Sequence, residues 1–489
     1  MKKRFNRIAV IIFLALFVLS SRIAYIDFFK FSSVSATNGE IEEEYGSNRG
    51  LIFDRNMKSL VETDYIRLNS QVSSNYKFKV PKRYSDNQLA EHIVGYTDID
   101  GKGISGIEKD YDEYLKGIKN IIKVKYYKDA QGRILKGKGI KIDESEKCTD
   151  SGIVLSIDKD IQQFSQKSGE KLRKGSIIIS DSLSGEIVAI SSFPSFNPNT
   201  ISDYISDENY PLLNRNLLNY NVGSVFKVIV CMAALESGIS ENFSYSCVGH
   251  IKCGDVRFNC HNLKGHGKLD MKSALSKSCN TYFIKLAEIT GSEQIIKVAK
   301  KLGLDKPIFL SDSLIAAKGN LPSLNSLSAP AALANLSFGQ GELIETPLHM
   351  SSVYSVIANG GYLIKPSLLK AKVLNSEIKQ KYNNQTKIKV ISESTAKKIN
   401  SFLEYTVLYG TGKNAAVKNC VTAGKTATAQ TGKFENGKEI LISYFIGYIT
   451  TKDDKKYTIL VMKENGVSGS SDCAPIFKEI GEYISKNEG

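Results

Sequence analysis

A chain of 489 residues is long enough for two or three domains with a sizeable core, and 42% hydrophobic with 24% charged residues excludes an intrinsically disordered protein. The formal charge of +14 calls for an anionic neighbourhood. The lysines are spread without a basic arm and no nucleic-acid motif is present, so a membrane surface or an anionic polymer is expected in place of nucleic acid.

In chain order, Lys2, Lys3, Arg4 and Arg7 precede an apolar run from Ile8 to Leu19, with Arg22 just beyond. The run is as short as a signal-peptide core, but small residues suited to cleavage come only well downstream, at Ser33-Val34-Ser35-Ala36. Continued through Ile26, the span approaches the roughly 20 residues a bilayer requires, with Arg22 able to snorkel. The expectation is a cytoplasmic tail over 1–7, an uncleaved transmembrane anchor over 8–26, and the remainder outside the cytoplasm; a cleaved signal is the alternative.

Residues 37–150 carry Arg49-Gly50 to Asp54-Arg55-Asn56, then Gly106-Ile107-Glu108, and a Gly- and Lys-rich alternating stretch from Tyr126 to Ile142 that reads as a hairpin. No nucleophile and base are arranged there, so this part reads as a scaffold. From Ser151 the composition changes. Ile153–Asp158 reads as a strand, a helix follows through Lys171, and Gly175–Ser180 and Glu186–Ser191 form a hairpin about Asp181–Gly185. Helical patterns dominate to about residue 410, and strands return over Val421–Lys463. Strands at both ends of a helical middle imply one sheet that closes late, an α+β arrangement.

Chemistry concentrates at Ser224-Val225-Phe226-Lys227, ahead of the apolar run Val228–Leu235 and the stop Ser237-Gly238, the start of a buried helix. A serine among the unpaired N–H groups of a helix start sits where an oxyanion is stabilised. A lysine three residues on lies on the same face, and burial lets it shed its proton and act as base. Ser-x-x-Lys alone is a weak signal: Ser168 to Lys171, Ser376 to Lys379 and Ser394 to Lys397 repeat it. Ser278-Cys279-Asn280 offers a hydroxyl and an amide two apart on a turn. Gly424-Lys425-Thr426-Ala427-Thr428 lies on an expected strand, where a lysine and hydroxyl can grip a carboxylate while strand N–H groups pair with an extended peptide.

The order Ser-x-x-Lys, Ser-x-Asn, Lys-Thr-small resembles that of penicillin-binding proteins and class A β-lactamases, and nearly the whole chain resembles a class B penicillin-binding protein. Arg49 to Asn56 and Gly106–Glu108 look like that family's N-terminal pedestal motifs. Asn214-Arg215, Gly339-Gln340-Gly341, Thr346-Pro347 and Ala358–Gly361 resemble its transpeptidase domain. The resemblance implies a penicillin-binding, serine β-lactamase-like transpeptidase domain, an antiparallel sheet with helices, over 151–489, preceded by a mostly β pedestal over 37–150. It implies peptidoglycan D,D-transpeptidation: Ser224 as nucleophile, Lys227 as base, Ser278 and Asn280 assisting proton transfer and holding the substrate amide, Lys425 and Thr426 binding the terminal carboxylate. The N–H groups of Ser224 and Thr428 form the oxyanion hole. Stem peptides are the substrates, β-lactams acylate Ser224, and no cofactor is required. A membrane glycosyltransferase is the implied partner, since no such domain fits before residue 150. The chain departs from the family at Val222, where proline is usual, and at Ala427, where the family has glycine and a methyl is expected to narrow the cleft. A β-lactam-hydrolysing or sensing protein, or a non-catalytic scaffold of a wall-synthesis complex, are the competing functions.

Three of five histidines, His250, His261 and His266, lie with Cys247, Cys253 and Cys260 within twenty residues. The density suits a structural zinc held by Cys247, Cys253, Cys260 and His266, with Asp255 in reserve. A Cys247–Cys260 disulfide, favoured outside the cytoplasm, is the rival; cysteines near both positions and a His-Gly like His266-Gly267, inherited with the family, are the third reading.

Overall fold

A computed structural model describes residues 2–25, 40–47, 49–61, 83–127, 141–143, 150–382, 386–435 and 437–487. They fall into two compact units, one of residues 1–50, 63–83 and 116–149, the other of 51–62, 84–115 and 150–489. The stretch 33–36, Ile26 and the centre of the hairpin expected over 126–142 lie outside the described residues.

The smaller unit begins with α1 (Lys2–Tyr25), whose apolar side chains between Val10 and Ile23 are exposed. Among the described residues no helix is long and apolar enough to cross a membrane, so the anchor expected over 8–26 is met by an exposed apolar helix and not by a recognisable span. Strand β1 (Glu40–Ser47) belongs to this unit. It pairs antiparallel with Asn120–Tyr127, whose Lys123–Lys125 pair in turn with Lys141–Asp143, so the ladder brackets the stretch expected as a hairpin over 126–142 and begins before it.

The boundary expected at 150 does not coincide with this division. Strand β2 (Leu51–Phe53) pairs in parallel with Gly152–Leu155, so the motif after Arg49-Gly50 is built into the larger unit. Asp54, fully buried, accepts hydrogen bonds from the backbone N–H groups of Asn56, Lys58 and Lys159, and Arg55 pairs with Glu186 at 2.7 Å.

In chain order the larger unit continues with β3 (Gly152–Leu155), α2 (Lys159–Gly169), β4 (Gly175–Asp181), β5 (Ile187–Phe193), β6 (Tyr220–Asn221) and α3 (Lys227–Glu236). Asp158 caps α2 by accepting from the N–H groups of Asp160 and Ile161. The β4–β5 turn forms because Asp181 accepts from the N–H groups of Leu183 and Ser184. After α4 (Asn280–Thr290) come β7 (Ile344–Glu345), α5 (Pro347–Ala358), α6 (Glu393–Tyr409), β8 (Val421–Glu435), β9 (Lys438–Thr450), β10 (Lys456–Glu464) and α7 (Ala474–Asn487). The principal sheet is antiparallel, in the order β8-β9-β10-β4-β5, so the last strands join the first hairpin and β8 is left as an edge. Strands β4 and β5 are buried along nearly their whole length, because helices cover both faces.

Candidate active site

Ser224 lies on a single 3-10 turn, Gly223–Phe226, and not inside the α-helix; α3 begins at Lys227. The tighter turn follows from Gly223, whose φ of 65° is in the left-handed region and whose added Cβ would lie 3.0 Å from that of Ala429 on β8. Lys227 is fully buried, while Lys171, Lys379 and Lys397, the lysines of the repeats at Ser168, Ser376 and Ser394, are exposed, each in a pair with a glutamate. Burial, not spacing, distinguishes the Ser224 copy from these three.

The three protons of the Lys227 ammonium have three acceptors: Ser278 O at 2.8 Å, Asn280 Oδ1 at 2.7 Å and Ser278 Oγ at 3.3 Å. Ser278 and Asn280, read as a turn, reach it because Ser278 adopts a left-handed φ of 54° immediately before α4, a conformation that is costly for a serine. Burial lowers the Lys227 pKa to about 8, against the opposing pull of nearby cysteine sulfurs. Lys425, equally buried, is pushed well below the ordinary lysine range by burial and then by the charge of Lys227; its Nζ donates to Thr426 O at 2.9 Å.

On β8 the two-residue period puts Ala423, Lys425, Ala427 and Ala429 on one face. Ala427 is 3% exposed and belongs to the main core, so its methyl is packed and not free in the cleft. Thr428 is exposed on the edge strand. Thr426 Oγ1 lies 2.8 Å from Thr411 Oγ1, a contact from the end of α6 with no sequence signal except its Gly-Thr-Gly setting.

The Cys/His cluster gathers differently from expectation. Cys247, Cys260, His266 and Cys279 bring their ligand atoms within 4.8 Å of one another. Cys253 is elsewhere, with Sγ 3.9 Å from Glu288 Oε1 and its side chain packed beside Ile284 and Ala334, because its hairpin turns it toward α4. Asp255 is exposed in that hairpin turn. No Cys247–Cys260 bridge forms; both thiols are free. The fourth member, Cys279, was missed because it lies inside Ser-x-Asn, thirteen residues past His266. Sγ–Nδ1 separations of 3.7 and 3.5 Å fall on the edges of a tetrahedron about zinc, roughly 3.5–3.8 Å for Zn–S near 2.3 Å and Zn–N near 2.0 Å, and the Cys260–Cys279 sulfur separation of 4.0 Å is slightly longer than such an edge. The hydrogen bond from the Cys279 thiol pulls Cys260 far down toward thiolate, and burial lowers His266 toward the neutral ring a metal requires.

Residues 175–482 match the penicillin binding protein transpeptidase domain family. Stage V sporulation protein D of Bacillus subtilis is 30% identical over 82% of this chain and 63% of its own length. The peptidoglycan D,D-transpeptidase FtsI of Buchnera aphidicola subsp. Schizaphis graminum is 30% identical over 82% of this chain and 69% of its own. The matched part of the chain spans less than two thirds of the sporulation protein and of mycobacterial PbpB. Penicillin binding protein 3 of Mycobacterium tuberculosis superposes with a TM-score of 0.72 at 25% identity, over 91% of this chain and 97% of that one, both alone and in complex with aztreonam. A buried lysine between a serine turn and a Ser-x-Asn turn, beside an edge strand carrying Lys-Thr, thus sits on the fold of these relatives, and the chain belongs to the class B penicillin-binding proteins.

Proposed function

We propose that the protein is a peptidoglycan D,D-transpeptidase working through a Ser224 acyl-enzyme. The observation that carries this is Lys227, fully buried, held by Ser278 and Asn280 and lowered to about 8, three residues from a serine on an N-terminal turn. With Lys227 neutral, the Ser224 hydroxyl adds to the carbonyl between the two terminal D-alanines and its proton passes to Lys227. The oxyanion forms against the N–H groups of Ser224 and Thr428. The C–N bond breaks, the departing D-alanine takes the proton back from Lys227 by way of Ser278, and the terminal carboxylate rests on Lys425 and Thr426. The amine of a second stem peptide then attacks the ester, releasing Ser224 and leaving a cross-link. A β-lactam enters the same first step and stays bound as an ester; the mycobacterial relative has a structure in complex with the β-lactam aztreonam.

Around this site, α1 serves as a membrane anchor by its exposed apolar side chains, the residues of 37–150 serve as a pedestal, and a membrane glycosyltransferase supplies the glycan strands. Intact mass after incubation with a penicillin, followed by peptide mapping, tests the main reading. One adduct at Ser224, absent in Ser224→Ala, supports it; an adduct elsewhere or none overturns it. A rapid burst followed by turnover would make the protein a β-lactamase.

A structural zinc held by Cys247, Cys260, Cys279 and His266 is the second part of this reading, favoured by the tetrahedral separations. It would fix Cys279, and with it the two flanking residues that hold Lys227. Metal analysis with a free-thiol count on anaerobically purified protein decides it: one zinc per chain supports the site, and a metal-free protein removes it.

A further inference from the structure

Two backbone N–H groups have to converge on one oxyanion, and in this chain they come from different elements, the Ser224 turn and β8. The dipeptide Gly339-Gln340 touches both. Gly339 O accepts from Gly223 N at 2.8 Å, and Gly339, at a φ of 78°, lies so close that an added Cβ would stand 2.0 Å from Gly223 O. The next side chain reaches the strand. With its amide oriented to satisfy both groups, Gln340 donates to Gln430 O and accepts from Gln430 N, each at 3.2 Å. Gln430 stands two residues beyond Thr428 on the sheet's edge. There a side-chain amide completes the pairing that a neighbouring strand would otherwise give. Gly223 also packs directly against Ala429, so turn, dipeptide and strand form one closed set of contacts.

We infer that Gln340 is a positioning residue for acylation: its amide holds β8 at Gln430 against the Gly339–Gly223 contact, and so fixes the spacing between the N–H groups of Ser224 and Thr428. The inference rests on the reading of those two groups as the oxyanion hole. Loss of the amide pair leaves both donors in place but lets the edge strand drift, and misplacing one such donor costs about 10²-fold or more in rate.

The test is the rate of penicillin acylation by the full chain, followed by time-resolved intact mass across penicillin concentrations so that the acylation step is separated from binding. Gln340→Met keeps length and shape but removes both hydrogen bonds, and Gln340→Glu keeps only the acceptor for Gln430 N–H. The expected result is an acylation step about 10–100-fold slower for Gln340→Met and less so for Gln340→Glu, with penicillin binding within about threefold and long incubation still giving one adduct at Ser224. An unchanged acylation step in the folded fraction of either variant overturns the inference, even if the melting temperature falls, because that outcome is packing alone. If wild-type protein never gains the adduct at Ser224, the oxyanion-hole reading fails and this inference fails with it. If wild type acylates normally and the variants match it, only the role of Gln340 is lost.

Discussion

Glu345 should make this protein progressively less stable as pH rises, and replacing it should remove that slope. The residue ends β7, which pairs with β6 just before the Ser224 turn. It is fully buried, neither carboxyl oxygen has a hydrogen-bond partner among the described residues, and the carboxyl lies against Gly319, whose added Cβ would fall 2.1 Å from both oxygens. His349 Nδ1 is 3.8 Å from Oε2, which has the spacing of an ion pair. Burial nonetheless lowers the ring's pKa and so favours its neutral form, its Nε2–H donates to Lys306 O, and its Nδ1 lies 2.8 Å from the Thr346 hydroxyl. With no cation beside it, burial and then the charge of Asp305 raise Glu345 from 4.5 to about 9. The folded pKa is the higher one, so the stabilising difference is complete below pH 4.5 and is lost as pH rises through about 9. Each pH unit in that window costs about 1.4 kcal/mol, on the order of 3 kcal/mol by pH 7. Glu345→Met keeps the volume and removes the ionisable group. Urea unfolding from pH 5 to 8.5, followed by tyrosine emission because the chain has no tryptophan, should give curves for wild type and variant that diverge with pH, the variant becoming the more stable. Parallel curves would show that Glu345 ionises in the folded protein at the pH of an exposed carboxyl, and would refute a raised pKa.

Acylation by penicillin should rise about tenfold per pH unit below pH 8 and level off above it, because neutral Lys227 is the base; Lys227→Ala should lower the rate by about 10²–10⁴-fold and flatten the profile. A wild-type profile already flat between pH 6 and 8 would count against Lys227. Ala427→Gly should leave acylation within about threefold, and should cost about 1–2 kcal/mol in urea unfolding from the lost methyl and the freer backbone, since that methyl is core and not cleft. A large gain in rate would show that the methyl obstructs substrate. Cys279→Ser should weaken zinc retention against a competing chelator by at least about tenfold, whereas Cys253→Ser should not change it; the reverse ranking would restore the ligand set suggested by sequence proximity.

Local chemistry was legible in the chain. The order of Ser224, Lys227, Ser278, Asn280, Lys425 and Thr426 points to the family, because three short motifs in one order are far more specific together than any one of them alone. The hairpin about Asp181 and the stop at Gly238 were legible too, since turns and helix ends are written in adjacent residues. Pairings between distant segments were not. Strand β2 pairs with a strand a hundred residues on, which moves residues 51–62 out of the domain their neighbours suggest. Cys279 displaces the nearer Cys253 as a cluster member because the turn entering α4 brings its sulfur to 4.0 Å from that of Cys260, whereas Cys253 faces Ile284 and Ala334 from its own hairpin.

The sequence by itself determined which groups are available as the proposed nucleophile, base and carboxylate grip, since identity and local spacing set their chemistry. Only the tertiary structure decided that Lys227, among the described Ser-x-x-Lys lysines, is the one fully stripped of water, that Ala427 is packed, and that Gly339-Gln340 bridges turn and strand. The reason is physical: desolvation and alignment are properties of the surroundings, and surroundings are assembled from residues far apart in the chain.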